Sequence, residues 1–359
     1  MKLLILDQFS DLGGAQRAVL DLLPAVRRAG WTALFGLPGE GEFSSRVREM
    51  GFEAEVIDCG PYASGRKTLG DVVRFVAGTP LLARQIRHLA DRARAELIYI
   101  NGPRLLPAAA LWRPKTPVLF HAHSVLPPGR VRQLAGASLR RLDAHVVAVC
   151  EYVADSWREY VAADRISVVY NGVAGPDRAV WNPHPGAPVV GCVGRIAPEK
   201  GQLEFVAAAP RILESIPKAR FVIHGAALFG EAAALRYEAD VRKAAANLPV
   251  QFAGWSSDVY GAFAEMDLLL VPSTGQEATT RVILEAQAAG VPVIALRSGG
   301  IPEVVTEEEL ADSTEEMGRL AVQALMRPDT GASQRARESW TRRFTLERYQ
   351  AEMMRAMGG

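Results

Sequence analysis

Short apolar runs alternate with amphipathic stretches along almost the whole chain, and that alternation leaves few folds open. Strand candidates in the first half are Leu3–Leu6, Ala33–Phe35, Ala54–Ile57, Leu97–Ile100, Val118–His121, His145–Val149 and Ser167–Val169. Helix-like stretches such as Ala15–Ala29 and Leu69–Ala95 lie between them. Continuous Val/Ile/Leu strands separated by helices predict a parallel sheet covered on both faces. Gly172–Pro188, rich in Pro and Gly, reads as a linker. The alternation then restarts with Val189–Val193, Arg220–His224, Val250–Phe252, Leu268–Val271 and Val293–Ala295, and from about Asp312 the chain is helical by composition. At 359 residues the length suits two such domains.

Composition narrows the function. Lys and Arg number 41 against 40 Asp and Glu, so the chain is not a basic nucleic-acid-coating protein, and no nucleic-acid partner is expected. The charge is uneven: residues 1–175 carry 22 basic and 17 acidic side chains. That excess hints at an anionic ligand or membrane surface, or is a chance imbalance of solvated arginines. No run of 18 apolar residues occurs, which argues against a transmembrane helix, and Met1–Leu6 meets Asp7 too soon for a signal peptide. Cys59, Cys150 and Cys192 are far apart, with no zinc spacing and no disulfide framework. A cytoplasmic location is expected.

Ligands of open α/β sheets bind beyond the carboxyl ends of strands, so the chemistry is sought there. After the first strand, Asp11-Leu12-Gly13-Gly14-Ala15 opens into a helix. Paired glycines let backbone approach a ligand, although a tight strand-to-helix turn would also use them, and no dinucleotide fingerprint is present. After Val193, Arg195 and Lys200 flank a helix start expected near Pro198, and two cations beside a positive helix end suit a diphosphate. Glu277 lies in the loop after Leu268–Val271; Glu285 stands in the apolar run Val282–Ala289. A glutamate there is expensive to bury alone, and its two oxygens can accept from a vicinal diol such as a ribose. Ser298-Gly299-Gly300-Ile301-Pro302-Glu303 offers a further loop with free backbone amides. His123, in His121-Ala122-His123-Ser124 at a strand end, can donate a hydrogen bond to a sugar or leaving group; a metal pair is not expected there.

In this order, these residues resemble the retaining glycosyltransferases of family 4, with the GT-B fold. The resemblance rests on Gly13-Gly14, His123, Asn171-Gly172-Val173, Gly194-Arg195 with Glu199-Lys200-Gly201, the Glu277/Glu285 pair and Gly299 to Glu303. It implies two doubly wound Rossmann-like α/β domains facing across a cleft. An acceptor-side domain is placed at 1–175, a nucleotide-sugar domain at 176–340, and a C-terminal helix crossing back at 341–359, supplied by the run Trp340–Met357. Closure would hinge near Asn171–Pro188.

The resemblance implies transfer of a sugar from a nucleotide-diphosphate-sugar with retention at the anomeric carbon. Arg195 and Lys200 hold the diphosphate, Glu285 the ribose, and Glu277 the sugar hydroxyls. His123 reaches the transferred sugar, Gly13 and Gly14 approach the diphosphate and acceptor, and Trp255 lies near the base. Thr280 counts with the donor-binding set. No Asp-x-Asp occurs, so no metal and no cofactor are expected. Two departures stand out: Thr279-Thr280 replace a frequent Phe-Gly pair, and Val304-Val305-Thr306 runs directly into Glu307-Glu308-Glu309, as though a Gly-containing turn and short strand were deleted. A nucleotide-sugar 2-epimerase of the same architecture and a non-catalytic scaffold are the alternatives. Arg66, Lys67, Arg104, Arg130, Arg132, Arg140 and Arg141 point to a cell-envelope or exopolysaccharide acceptor, glycan or lipid-linked, met at the inner membrane face through peripheral contact with anionic lipid.

Overall fold

A computed structural model describes residues 1–59, 69–184, 186–227, 232–275, 277–327 and 330–359. Two compact units emerge, Met1–Asn171 with Glu347–Gly359, and Gly172–Leu346.

The first unit holds β1 (Lys2–Asp7), β2 (Thr32–Leu37), β3 (Glu53–Val56), β4 (Leu97–Asn101), β5 (Val118–Ala122), β6 (His145–Ala148) and β7 (Ile166–Val168). They form one sheet in the order β3-β2-β1-β4-β5-β6-β7, every pair parallel. The central strands β4 and β5 are buried at every residue, whereas the edge strands β3 and β7 are only partly covered. That gradient explains why the central strands read as unbroken apolar runs: helices cover both faces. The helix Gly14–Arg28 turns Val19, Leu22, Leu23 and Val26 inward.

The second unit holds β8 (Val189–Val193), β9 (Arg220–His224), β10 (Val250–Gly254), β11 (Leu268–Val271), β12 (Val293–Leu296) and β13 (Leu310–Ala311), ordered β10-β9-β8-β11-β12-β13 and again all parallel. Its core joins Phe205, Phe221, Ile223, Leu268 and Leu270 with Met317 from the helix Thr314–Met326.

Three sequence expectations need correction. The short strand feared deleted after Val305 is present: Glu307–Glu309 makes one 3-10 turn and leads directly into β13, which pairs with β12. Two residues of strand are too few for periodicity to show. Pro198 does not open the α-helix; it opens the 3-10 turn Pro198–Lys200, and the helix Gln202–Ser215 begins after Gly201, whose φ of +70° interrupts the spiral. The run Trp340–Met357 is not one helix. Thr330–Arg343 and Leu346–Ala356 are separate, because Phe344 is fully buried, its carbonyl accepts from Val173 N–H at 3.0 Å, and Thr345 bridges to Val173.

The helix Leu346–Ala356 is tied to Gly14–Arg28. Tyr349 OH donates to Ala18 O at 2.8 Å, Gln350 Nε2 donates to Asp21 O at 2.6 Å, and Arg28 Nη2 donates to Gln350 Oε1 at 2.5 Å. Cys59, Cys150 and Cys192 are buried thiols, and burial pushes the Cys59 thiol up to about 11. Among the described residues no helix is long and apolar enough to cross a membrane.

Candidate functional site

Both sheets reverse their strand order beside their first strand, between β1 and β4 and between β8 and β11. Loops leaving the carboxyl ends on either side of such a reversal diverge and leave a crevice. Most of the sequence-selected residues follow strands at or next to these two points, Trp255 instead following the edge strand β10, and each unit builds something different there.

In the second unit three loops interlock. Gly201 lies so close to the β11 loop that a Cβ would stand 1.8 Å from Pro272 O. Thr274 N–H donates to Glu199 O at 3.2 Å. Gly299, at φ +53°, approaches Glu277 so closely that a Cβ would stand 1.8 Å from its carbonyl oxygen, and Gly300 N–H donates to that oxygen at 2.9 Å. The Ser298–Glu303 loop was expected to carry free amides. Instead the Gly300 amide holds Glu277's backbone, and Ile301 N–H closes back on Ser298 O.

This framework brings Lys200 and Glu277, 77 residues apart, into an ion pair with Nζ 2.5 Å from Oε1. Both side chains are largely shielded from solvent, so their attraction is screened less than that of a surface pair. Arg195 pairs with Glu199 at 2.5 Å in a more open setting. Glu285 is not alone in its apolar helix. Arg281, one turn earlier in Arg281–Ala289, stands 3.6 Å away, and its Nη1 also reaches Gly172 O. Thr280 is the N-cap residue of that helix. Thr279 beside it is buried, with a hydroxyl that has no partner among the described residues. Trp255, just past the β10 end, is about half exposed.

In the first unit the reversal point is filled by hydrogen bonds. Asp7 ends β1, Asn101 ends β4, and the two are register partners. Asp7 is fully buried, and its carboxylate accepts from Phe9 N–H at 2.9 Å, from Gln16 Nε2 at 2.9 and 3.0 Å, and from Asn101 Nδ2. Desolvation outweighs these bonds and raises its pKa from the usual carboxylate range to about 7. Gln16 Oε1 accepts from Gly13 N–H at 3.1 Å, and Asn101 Oδ1 meets His123 Nε2 at 2.7 Å. His123 follows β5, and its ring lies 3.9 Å from that of His121, whose Nδ1 is bonded to Tyr99 OH. Burial lowers the His123 pKa to about 3, so the ring is neutral. Gly14 has open space where a Cβ would stand, so no packing among the described residues demands glycine there.

Asp7, Gln16, Asn101 and Arg281 were not selected from the sequence. Asp7 and Asn101 each close an apolar strand, and a polar residue at that place is a usable signal; Arg281 is marked by its i,i+4 spacing to Glu285. The basic cluster separates on inspection. Arg66 and Lys67 lie outside the described residues. Arg132 is occupied by Ser156 O and Glu159, Arg141 donates to Ala110 O at 2.8 Å, and the Arg104 and Arg140 guanidinium groups lie over Phe75 and Tyr160. Arg130 stays exposed beside Val131 and Leu134, which are 70% and 48% exposed. Among the described residues no group of three or more His, Cys, Asp and Glu converges as a metal site would require.

The sequence model described as Glycosyltransferase Family 4 matches residues 12–174, and the one described as Glycosyl transferases group 1 matches residues 187–325. The chain is 36% identical over 129 residues to the GDP-mannose-dependent monoacylated alpha-(1-6)-phosphatidylinositol monomannoside mannosyltransferase of Corynebacterium glutamicum, covering 33% of this chain and 32% of that protein. It is 28% identical over 245 residues to the lipopolysaccharide 1,2-N-acetylglucosaminetransferase of Salmonella typhimurium, covering 63% and 61%. The chain thus spans less than two thirds of either relative. Anabaena HepE, solved in complex with UDP, superimposes with a TM-score of 0.82 at 23% identity over all of both chains. The chain belongs to the group 1 glycosyltransferases, and its two parallel-sheet units are those of the GT-B fold.

Proposed function

We propose that this chain is a retaining, metal-independent glycosyltransferase that moves a sugar from a nucleotide-diphosphate-sugar to a cell-envelope or exopolysaccharide acceptor. The observation that carries the reading is the shielded Lys200–Glu277 pair, held by the Gly299–Gly300 contact. A cation kept close to a carboxylate at a strand-order reversal suits a ligand that is anionic at one end and hydroxyl-rich at the other. Lys200 turns to the diphosphate with Arg195, and Glu277 accepts from sugar hydroxyls. Preorganised cations stabilise the charge that develops on the leaving diphosphate. Glu285, steadied by Arg281, accepts from the ribose. Gly13 and Gly14 admit the diphosphate and acceptor, while Thr280 and Trp255 border the donor.

In the proposed reaction an acceptor hydroxyl attacks the anomeric carbon on the face from which the phosphate departs. The bond from the anomeric carbon to the phosphate oxygen breaks, and a phosphate oxygen takes the acceptor proton. Support for a nucleotide donor comes from HepE, which was solved with UDP and with UDP-glucose. Support for the acceptor class comes from the names of the Corynebacterium and Salmonella relatives. Exposed Arg130, Val131 and Leu134 suit peripheral contact with anionic lipid at the cytoplasmic membrane face.

The test is incubation with UDP-, GDP-, ADP- and TDP-sugars, with and without EDTA, following nucleotide release and the anomeric configuration of any product. Chelator-resistant release with the configuration kept, lost in Lys200→Ala and Glu277→Ala, is the expected result. Inversion at C2 of the sugar without transfer would favour the epimerase reading, and no turnover with any donor would end the transferase one.

A further inference from the structure

The hydrogen bonds around Asp7 have a direction. Ionised, as it is above pH 7, its carboxylate only accepts, and the groups around it are donors: Phe9 N–H, Gln16 Nε2 and Asn101 Nδ2. Gln16 cannot turn round, because its Oε1 is held by Gly13 N–H at 3.1 Å. Asn101 cannot turn round either while Asp7 is a carboxylate, because its oxygen would then face another acceptor. Asn101 Oδ1 therefore faces His123, and the 2.7 Å contact requires a proton on Nε2. A neutral imidazole carries one proton, so Nδ1 is left with its lone pair. No hydrogen bond among the described residues takes Nδ1, and the His123 side chain keeps part of its surface open.

We propose that Asp7 is a positioning residue: acting through Asn101, it holds His123 in the Nε2–H form, so that Nδ1 meets a bound sugar as an acceptor of a hydroxyl hydrogen rather than as a donor. This rests on the transferase reading for the identity of the sugar, but not for the proton's place. It reverses the polarity expected of His123 from the sequence. It also gives the Gly13 turn and His123 a common anchor, since Gln16 and Asn101 both end on the same carboxylate. The titratable neighbours are His121, whose ring lies tilted against that of His123, and Tyr99, which occupies His121 Nδ1.

The substitution Asp7→Asn is the sharp probe, because it replaces one carboxylate oxygen by a donor. Asn101 would then turn its oxygen toward residue 7 and its amide toward His123, and the imidazole proton would move to Nδ1. The measurement is 15N NMR of the full chain labelled in its six histidines at pH 8, with His123 assigned by its loss in His123→Gln. The wild type is expected to show a protonated Nε2 and a bare Nδ1, and Asp7→Asn the reverse. Asn101→Ala, which cuts the link and leaves Asp7 its other donors, is expected to give both forms; it decides the matter if Asp7→Asn does not fold. A wild-type Nδ1–H form, or a tautomer unmoved by either folded variant, overturns the proposal. With an active donor, Asp7→Asn should lower kcat at least tenfold with KM for the nucleotide-sugar changed less than threefold; an unchanged kcat also overturns it. Absence of turnover in the wild type would sink the transferase reading while leaving the tautomer result to stand by itself.

Discussion

At the strand-order reversal of the first sheet, β1 and β4 end in Asp7 and Asn101, both buried and bonded to each other. At the corresponding reversal of the second sheet, β8 and β11 end in apolar residues, and the charges arrive later, on loops that bring Lys200 to Glu277. The same topology thus supports two electrostatic designs. One is a desolvated carboxylate that organises neutral groups by hydrogen-bond direction. The other is a cation and carboxylate left accessible enough to exchange partners. A buried acid cannot change partners without a large desolvation cost, so it suits positioning. A pair that keeps some access to solvent can, so it suits binding.

The largest effect that could break this contrast is a pH dependence of stability. The raised pKa of Asp7 means that ionising it costs more in the fold than in the unfolded chain. Its contribution is full below about pH 4 and declines as pH rises toward 7. His123 has the opposite sign: held neutral, it contributes fully above about pH 6.5 and loses stability as pH falls toward 3. Relative to wild type, Asp7→Asn should gain a few kcal/mol as pH rises from 4 to 7, and His123→Gln should gain as pH falls from 6.5. Denaturant midpoints across pH 4–8 measure both; parallel curves would remove the desolvation account.

Next in size is the second unit's ion pair. Removing one preorganised charge from such a site lowers turnover about 100-fold or more. Lys200→Ala and Glu277→Ala should each do so, and the stabilisation of about 2.7 kcal/mol expected from a ligand at 100 times its Kd should fade in thermal shift. A smaller, purely steric contrast follows. Gly299→Ala would place a side chain at φ +53° and against Glu277 O, costing about 1–3 kcal/mol and loosening the pair. Gly14→Ala meets open space and should leave stability unchanged while weakening ligand binding. Equal losses of stability in the two variants would mean the glycines do not differ in role. Smallest is the membrane term: Arg130→Gln should weaken binding to anionic liposomes by about 1 kcal/mol, read by flotation, and salt-insensitive binding would argue against it.

Much of the architecture was legible because its cause is periodic. Val189–Val193, Arg220–His224 and Leu268–Val271 are strands at the bounds their apolar runs suggested, since each must be covered on both faces. The two-residue β13 was not legible, nor was the break at Phe344–Thr345, because both depend on partners far away in the chain: β12 for one and Val173 for the other. The site divides in the same way. Lys200, Glu277, Glu285 and His123 could be chosen by residue type and by their place after strands. What each one touches could not.

The order of strands and helices, and the kinds of side chain available at the strand ends, follow from local pattern, which a chain carries in its own succession of residues. Which acid meets which base, which amide a loop uses up, and where the proton sits on His123 depend on contacts between residues 22 to 94 positions apart. Burial and hydrogen-bond direction act through space, so those matters were decided only when the sheets closed around them.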